Sequence, residues 1–156
     1  MVDLKSIRAR TSTVREYVDN AELAARDIML EKYKNYRLDM DALKALKDAV
    51  KGVVTVVFSA SWCGDCKNAI PVLLHLEEKI RMNIRVFGTI KTAPLNPSQK
   101  WAVPPSPPEI LEWNVTAIPW IEFFNSRGRR LGTIIEKPHV KESLEAEILY
   151  TLSKDR

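Results

Sequence analysis

Residues 53–58 read VVTVVF, and this run limits the possible folds more than any other in the chain. Its apolar and β-branched residues do not alternate with polar ones, which is typical of a strand buried on both faces of a parallel sheet. Parallel strands need crossover connections, and these are usually helices. The run therefore predicts an α/β protein with a sheet covered on both sides.

Helical patterns lie before and after this strand. Thr13 and Glu16 form a capping box, and apolar residues then recur at helical spacing, so residues 13–34 are predicted to form one amphipathic helix. The other predicted helices are one between Asp39 and Gly52, one from Cys66 onward, one over 109–113 and one over 138–153.

Three further strands are predicted over 84–90, 120–124 and 129–135, the last two as an antiparallel hairpin. From residue 39 the elements therefore alternate between helix and strand before the hairpin and a closing helix. We expect an α/β fold with a central mixed sheet, helices on both faces and an added N-terminal helix.

The 156 residues, 46% of them hydrophobic, suffice for one domain with its own core. We assign residues 1–38 to an N-terminal helical extension and residues 39–156 to the domain itself. Six prolines in residues 91–108 predict a loop. The helix over 13–34 is expected to cover an exposed sheet face or edge, with partner binding or dimerisation as the alternative.

Charge and hydropathy disfavour two classes of partner. The net charge is +4, but the basic residues are interleaved with acids, and the densest group, Arg127, Arg129 and Arg130, falls in the predicted hairpin. Nucleic acid is therefore not an expected partner. No apolar run reaches the roughly 18 residues of a membrane span, and residues 1–10 lack the apolar region of a secretory signal. We expect a cytoplasmic protein that does not bind membranes.

The two cysteines of the chain both lie in SWCGDC, residues 61–66. They could form a metal clip, a static disulfide or a working redox pair. A static disulfide is disfavoured in a reducing compartment. Zinc needs about four ligands, and the only histidines are His75 and His139, so no metal site is expected.

A redox pair explains the position of the motif. If Cys63 lies where a strand meets a helix, unpaired amides and the helix dipole stabilise its thiolate. Cys63 would attack a substrate disulfide. Cys66, one turn into the helix, would be shielded and would resolve the mixed disulfide.

Residues 39–153 resemble thioredoxin, and the matching positions are Trp62, Cys63, Gly64, Cys66, Lys67, Pro71, Ile118 and Pro119. In that family the Ile–Pro pair is cis, faces the cysteines and exposes backbone to the substrate. The resemblance implies a thioredoxin-like fold and an enzyme that reduces protein disulfides. It also implies a substrate-docking surface shaped by Trp62, Gly64, Ile118 and Pro119. No bound cofactor is expected, because the electrons would come from a separate donor of the thioredoxin-reductase type.

Two positions depart from the thioredoxin pattern. Asp65 replaces the usual proline between the cysteines, and its carboxylate should disfavour the Cys63 thiolate and favour the oxidised pair. We expect a couple at least as reducing as ordinary thioredoxin; alternatively, Asp65 only favours the helix N-terminus. Val57 occupies the place of the buried aspartate that is the proposed proton acceptor of the family, so Asp65 or water would have to serve.

A function without catalysis is the alternative. In it the chain is a thioredoxin-fold adaptor that binds a partner through the helix over 13–34 and the loop over 91–108, while the cysteines are idle.

Overall fold

The computed structural model describes residues 1–93, 95 and 101–154 and contains a mixed four-stranded sheet. Its strands are β1 (Val54–Phe58), β2 (Asn83–Phe87), β3 (Trp120–Phe124) and β4 (Arg130–Ile135), in the order β2-β1-β3-β4. β1 is parallel to β2 and antiparallel to β3, and β3 pairs with β4 in a hairpin. The predicted mixed sheet is confirmed.

The described residues form seven helices: α1 (Leu4–Arg10), α2 (Val14–Asp19), α3 (Leu23–Asn35), α4 (Met40–Ala49), α5 (Gly64–Ile80), α6 (Glu109–Glu112) and α7 (Leu144–Ser153). None of them is long and apolar enough to cross a membrane. Of the predicted proline-rich loop over 91–108, residues 94 and 96–100 lie outside the described residues.

Helices cover both faces of the sheet, as predicted. On one face Val57 of β1 packs in a core cluster with residues of α2, α3, α4, α5 and α7. On the other face Val56 and Phe58 pack with Ile7 of α1 and Ile110 of α6. Side chains of successive strand residues point to opposite faces, so β1 is buried on both sides without any polar alternation.

The prediction of one N-terminal helix over 13–34 is wrong. Residues 20–22 separate α2 from α3, and the backbone N–H of Asn20 closes α2 by donating to the carbonyls of Glu16 and Val18. The break lets α2 pack against β2 and α5 while α3 runs along α5. An unpredicted helix, α1, precedes both, and the Asp3 carboxylate caps it by accepting the N–H groups of Lys5 and Ser6.

Residues 1–38 are tied to the sheet by hydrogen bonds. Ser12 and Val86 exchange two backbone hydrogen bonds of 3.1 and 2.8 Å. The buried guanidinium of Arg85 on β2 donates to the carbonyls of Thr11 and Arg8, at 2.7 and 3.2 Å. Because the last carbonyls of a helix lack partners within it, Arg85 satisfies the end of α1. The N-terminal segment therefore shares the core of the domain.

The last helix is shorter than predicted. It begins at Leu144, where Ser143 caps it by accepting the N–H of Ala146 at 3.2 Å, and not at residue 138. Residues 139–141 instead donate their backbone N–H groups to the Glu147 carboxylate, at 2.7 to 3.3 Å. Val140 therefore precedes the helix, and it is 58% exposed.

Candidate redox site

The two cysteines lie where β1 ends and α5 begins. Cys63 is the N-cap residue of α5, and its sulfur accepts the backbone N–H of Cys66 at 3.2 Å. The sulfur thus occupies the position that a serine or aspartate oxygen takes in an ordinary helix cap. The Cys66 amide, which has no partner within the helix, and the positive end of the helix dipole both favour negative charge on the Cys63 sulfur.

The two thiols ionise differently. A hydrogen bond with Cys66 is the largest effect on Cys63, and together with the backbone amides of Cys66 and Asp65 it lowers the pKa of Cys63 to about 7. Burial and the Asp65 carboxylate oppose this shift. Burial raises the pKa of Cys66, which is 1% exposed. At neutral pH the site therefore holds a partly ionised Cys63 and a protonated Cys66.

The structure brings the distant Ile118–Pro119 pair to Cys63. The Cys63 sulfur lies 3.6 Å from the carbonyl oxygen of Ile118, and the peptide bond between Ile118 and Pro119 is cis. Both residues are buried, and the Pro119 carbonyl accepts the N–H of Glu136 at 2.7 Å. The residues after α6 thus pass directly beside the Cys63 sulfur.

Two tryptophans form an aromatic surface next to the motif. Trp62 is 52% exposed, and its ring lies parallel to that of Trp101, with centroids 6.1 Å apart and an interplanar angle of 5°. The Trp101 indole donates to the carbonyl of Thr116 at 2.8 Å. Gly64 is exposed, and nothing lies within 4 Å of the position that a Cβ would take there. The surface around Cys63 is therefore open on the Trp62 and Gly64 side.

Asp65 lies in the first turn of α5 and acts on the pKa of Cys63 in two opposing ways. Its backbone N–H lowers the pKa of Cys63, whereas its carboxylate raises it. The Asp65 carboxylate therefore raises the pKa of Cys63, as expected from the sequence, and the Asp65 amide offsets part of this increase.

Sequence reasoning missed two hydroxyl groups behind the cysteines. The hydroxyl of Ser59 lowers the pKa of the Cys66 thiol, against the larger effect of burial. The hydroxyl of Tyr17, from α2, lies 3.0 Å from that of Ser59. Ser59 could have been noticed as a polar residue directly after an apolar strand. No spacing in the sequence connects it to Tyr17, which comes from the segment assigned to an extension.

His75 contacts Tyr33. The buried His75 ring stacks on Tyr33, with centroids 3.8 Å apart, and its Nε2 lies 2.8 Å from the Tyr33 carbonyl oxygen. Within the part of the chain that the structure describes, no three His, Cys, Asp or Glu side chains are placed to hold a metal ion.

The fold and this site define a thioredoxin-like protein with a Cys-x-x-Cys motif at a helix N-terminus. A family model described as Thioredoxin matches residues 11–148. The chain belongs to the thioredoxin family. The match begins in the N-terminal segment, so it includes α2 and α3.

Solved structures resemble this chain at low sequence identity. A protein of unknown function from Pseudomonas aeruginosa is 14% identical, with 99% of this chain and 90% of that chain covered and a TM-score of 0.66. An HIV epitope-scaffold is 12% identical, with 98% and 94% covered and a TM-score of 0.64. A thioredoxin of Fasciola hepatica is 18% identical, with 75% and 93% covered and a TM-score of 0.42. No curated protein matches the sequence.

Proposed function

We propose that this protein is a thiol–disulfide oxidoreductase that reduces protein disulfides through Cys63 and Cys66. The observation that carries the proposal is the unequal state of the two thiols: Cys63 caps α5 with a pKa lowered to about 7, whereas Cys66 is buried and its pKa is raised. A nucleophile must be ionised and accessible, and a resolving thiol is best kept protonated until the nucleophile has reacted.

The reaction has two exchange steps. The Cys63 thiolate attacks one sulfur of a substrate disulfide, so that a Cys63–substrate disulfide forms and the other substrate sulfur leaves as a thiolate. Cys66 then loses its proton and attacks Cys63, which forms the Cys63–Cys66 disulfide and releases the second substrate thiolate. Two electrons pass from the cysteine pair to the substrate, and solvent protonates the released thiolates.

Docking of the substrate is assigned to the surface around Cys63. We assign this role to Trp62, Gly64, Ile118 and Pro119, because Trp62 and Gly64 are exposed and the Ile118 carbonyl lies 3.6 Å from the reactive sulfur. An exposed indole offers apolar area and a hydrogen-bond donor to a peptide chain. The oxidised pair would be returned to the dithiol by a separate reductase of the thioredoxin-reductase type or by another dithiol, so no bound cofactor is required.

The test combines cysteine variants with a measurement of potential. Wild-type protein should reduce insulin disulfides with dithiothreitol as the electron source, Cys63→Ser should lose this activity, and Cys66→Ser should accumulate a mixed disulfide. Equilibration with dithiothreitol should give a potential near or below about −270 mV, the value of thioredoxin. A value near about −120 mV would mark an oxidant and reverse the direction of electron flow.

The adaptor alternative has lost part of its support. The adaptor was expected to bind a partner through the helix over 13–34, but Val14, Val18, Ala25 and Met29 of that segment are buried in the core of the protein itself. If the Cys63–Cys66 pair showed no reversible couple, and if both serine variants kept full biological function, the adaptor would replace the oxidoreductase.

A further inference from the structure

In the second step of the proposed exchange, Cys66 must lose its thiol proton although it is buried. Cys66 is 1% exposed, and burial raises the pKa of its thiol. Val57, at the position where the family has an aspartate, is fully buried and packs among apolar residues, so it offers no acceptor. The Asp65 carboxylate acts on Cys63. Besides burial, the groups that act on the pKa of Cys66 are the Cys63 thiol, the Ala60 backbone and the Ser59 hydroxyl.

Ser59 is held where its hydroxyl can reach both Cys66 and Tyr17. It follows β1 directly, it is fully buried, and its backbone N–H donates to the Phe87 carbonyl at 3.0 Å. Its hydroxyl lowers the pKa of the Cys66 thiol and lies 3.0 Å from the Tyr17 hydroxyl. A hydroxyl can accept one hydrogen bond while donating another, so Ser59 can join the two groups.

Tyr17 is positioned by close packing. Its ring lies on Gly88, where an added Cβ would come within 2.6 Å of two ring carbons, so this approach requires glycine. Tyr17 is only partly buried, in contrast to Ser59 and Cys66. The three groups therefore lead from the buried sulfur toward a side chain that reaches solvent.

We propose that Ser59 and Tyr17 form a proton relay that carries the thiol proton of Cys66 to solvent while Cys66 attacks the mixed disulfide. The proposal rests on the disulfide exchange proposed above and concerns its second step. Ser59 acts directly on the Cys66 thiol, whereas Tyr17 acts through Ser59 and is a positioning residue.

The relay moves one proton and leaves both hydroxyls unchanged. The Cys66 thiol proton passes to the Ser59 oxygen, the Ser59 proton passes to the Tyr17 oxygen, and the Tyr17 proton passes to water. At the same time the Cys66–Cys63 bond forms and the substrate sulfur leaves as a thiolate. Burial raises the pKa of Tyr17 to about 12, so Tyr17 stays protonated at neutral pH and works as a neutral conduit. The titratable groups that act on Tyr17 are Cys66 and Cys63, and Cys63 also faces Asp65.

A reaction with two kinetic phases measures the attack by Cys63 and the attack by Cys66 separately, so it can test the relay alone. One equivalent of 5,5′-dithiobis(2-nitrobenzoate) added to reduced protein should release one thionitrobenzoate when Cys63 attacks and a second when Cys66 resolves the mixed disulfide. We expect Tyr17→Phe to leave the first phase unchanged and to slow the second about tenfold at pH 7. Ser59→Ala should slow the second phase about 100-fold, the low end of what a positioned proton acceptor contributes.

The pH dependence of the second phase distinguishes the loss of a proton relay from a mere change in the position of the Cys66 sulfur. If the variant has lost the relay, the ratio of the wild-type to the variant rate of the second phase should fall as pH rises, because proton removal then no longer limits this step. If Tyr17 only supports the structure, its loss should slow the second phase by the same factor at every pH. Tyr33→Phe is the matched control, because it also removes a hydroxyl that hydrogen-bonds, here to Glu78 at 2.6 Å, from an N-terminal helix.

The outcomes are separable. Two normal phases in both Tyr17→Phe and Ser59→Ala, or a slowing that does not depend on pH, would overturn the relay and leave the oxidoreductase intact. Release of a single thionitrobenzoate by the wild-type protein would overturn both, because Cys66 would then not resolve the mixed disulfide.

Discussion

At the scale of single residues, the ionisation of Cys63 is a balance between opposing effects. A hydrogen bond with Cys66 and two backbone amides lower the pKa of Cys63, and burial and the Asp65 carboxylate raise it. With the pKa of Cys63 at about 7, its thiolate fraction rises as the pH rises through 7 and approaches a maximum above it. Small changes of charge beside this sulfur therefore change reactivity at neutral pH.

We predict that Asp65→Asn lowers the pKa of Cys63 and makes the couple more oxidising. The substitution removes the negative charge and keeps the backbone N–H that favours the thiolate. A more stable thiolate stabilises the reduced form, so the potential should become less negative. The pKa follows from the pH dependence of Cys63 alkylation by iodoacetamide, and the potential from equilibration with dithiothreitol.

Asp41→Asn is the control for this prediction, because Asp41 is also an acid in the first turn of a helix, α4, but does not act on Cys63. It should leave both quantities at their wild-type values. If Asp65→Asn also leaves them there, Asp65 only favours the N-terminus of α5.

At the scale of secondary-structure elements, α5 joins the redox site to the N-terminal segment. Its first turn carries both cysteines, and its Glu77 carboxylate accepts the backbone N–H groups of Val14 and Arg15, at 2.8 and 3.0 Å. These are orphan amides of α2, a helix of six residues that carries Tyr17. A side chain of α5 thus completes the cap of the helix that supplies the hydroxyl behind Cys66.

We predict that Glu77→Ala destabilises the protein by about 1–3 kcal/mol, because two amides at the start of α2 lose their acceptor. Urea unfolding of the reduced protein measures the change. Glu78→Ala is the matched control. Glu78 is the next residue, and it pairs with Arg15 at 2.8 Å and accepts the Tyr33 hydroxyl at 2.6 Å on the exposed surface, where an ion pair contributes at most about 1 kcal/mol. Equal effects of the two substitutions would contradict the capping role of Glu77.

At the scale of the whole molecule, residues 1–38 are part of the folded core. Ile7, Val14, Val18 and Met29 are each at most 2% exposed, and they pack on both faces of the sheet. Burial of each such side chain contributes about 1.5–3 kcal/mol, so the four together are on the order of the full stability of a domain. The segment therefore packs as part of the core of the protein.

We predict that residues 39–156 alone do not fold into a cooperative structure. Near-UV circular dichroism and urea unfolding should show lost tertiary packing. Within the full chain, Met29→Ala should cost about 2–5 kcal/mol, whereas Leu23→Ala on the same helix, 62% exposed, should cost less than about 0.5 kcal/mol. A truncated chain that unfolds cooperatively and keeps rapid Cys63 alkylation would show that the segment is a separable extension.

Most of the regular elements could be predicted because local patterns report burial. VVTVVF predicted β1, and the capping residues Thr13 and Asp39 were placed correctly at the starts of α2 and α4. Two of the errors lie where a distant carboxylate or guanidinium group replaces helical hydrogen bonds. Glu147 accepts the backbone N–H groups of residues 139–141, so α7 begins only at Leu144. Arg85 donates to a carbonyl at the end of the unpredicted α1.

The sequence alone determined the class of fold and the pair of cysteines, because hydrophobic periodicity and a Cys-x-x-Cys motif after a buried strand are local properties. Only the tertiary structure placed Tyr17 beside Ser59 and the Ile118 carbonyl 3.6 Å from the Cys63 sulfur. These groups are 42 and 55 residues apart in the chain. Their proximity depends on how α2 and the segment before β3 pack against the sheet, and packing depends on the shapes of many side chains at once.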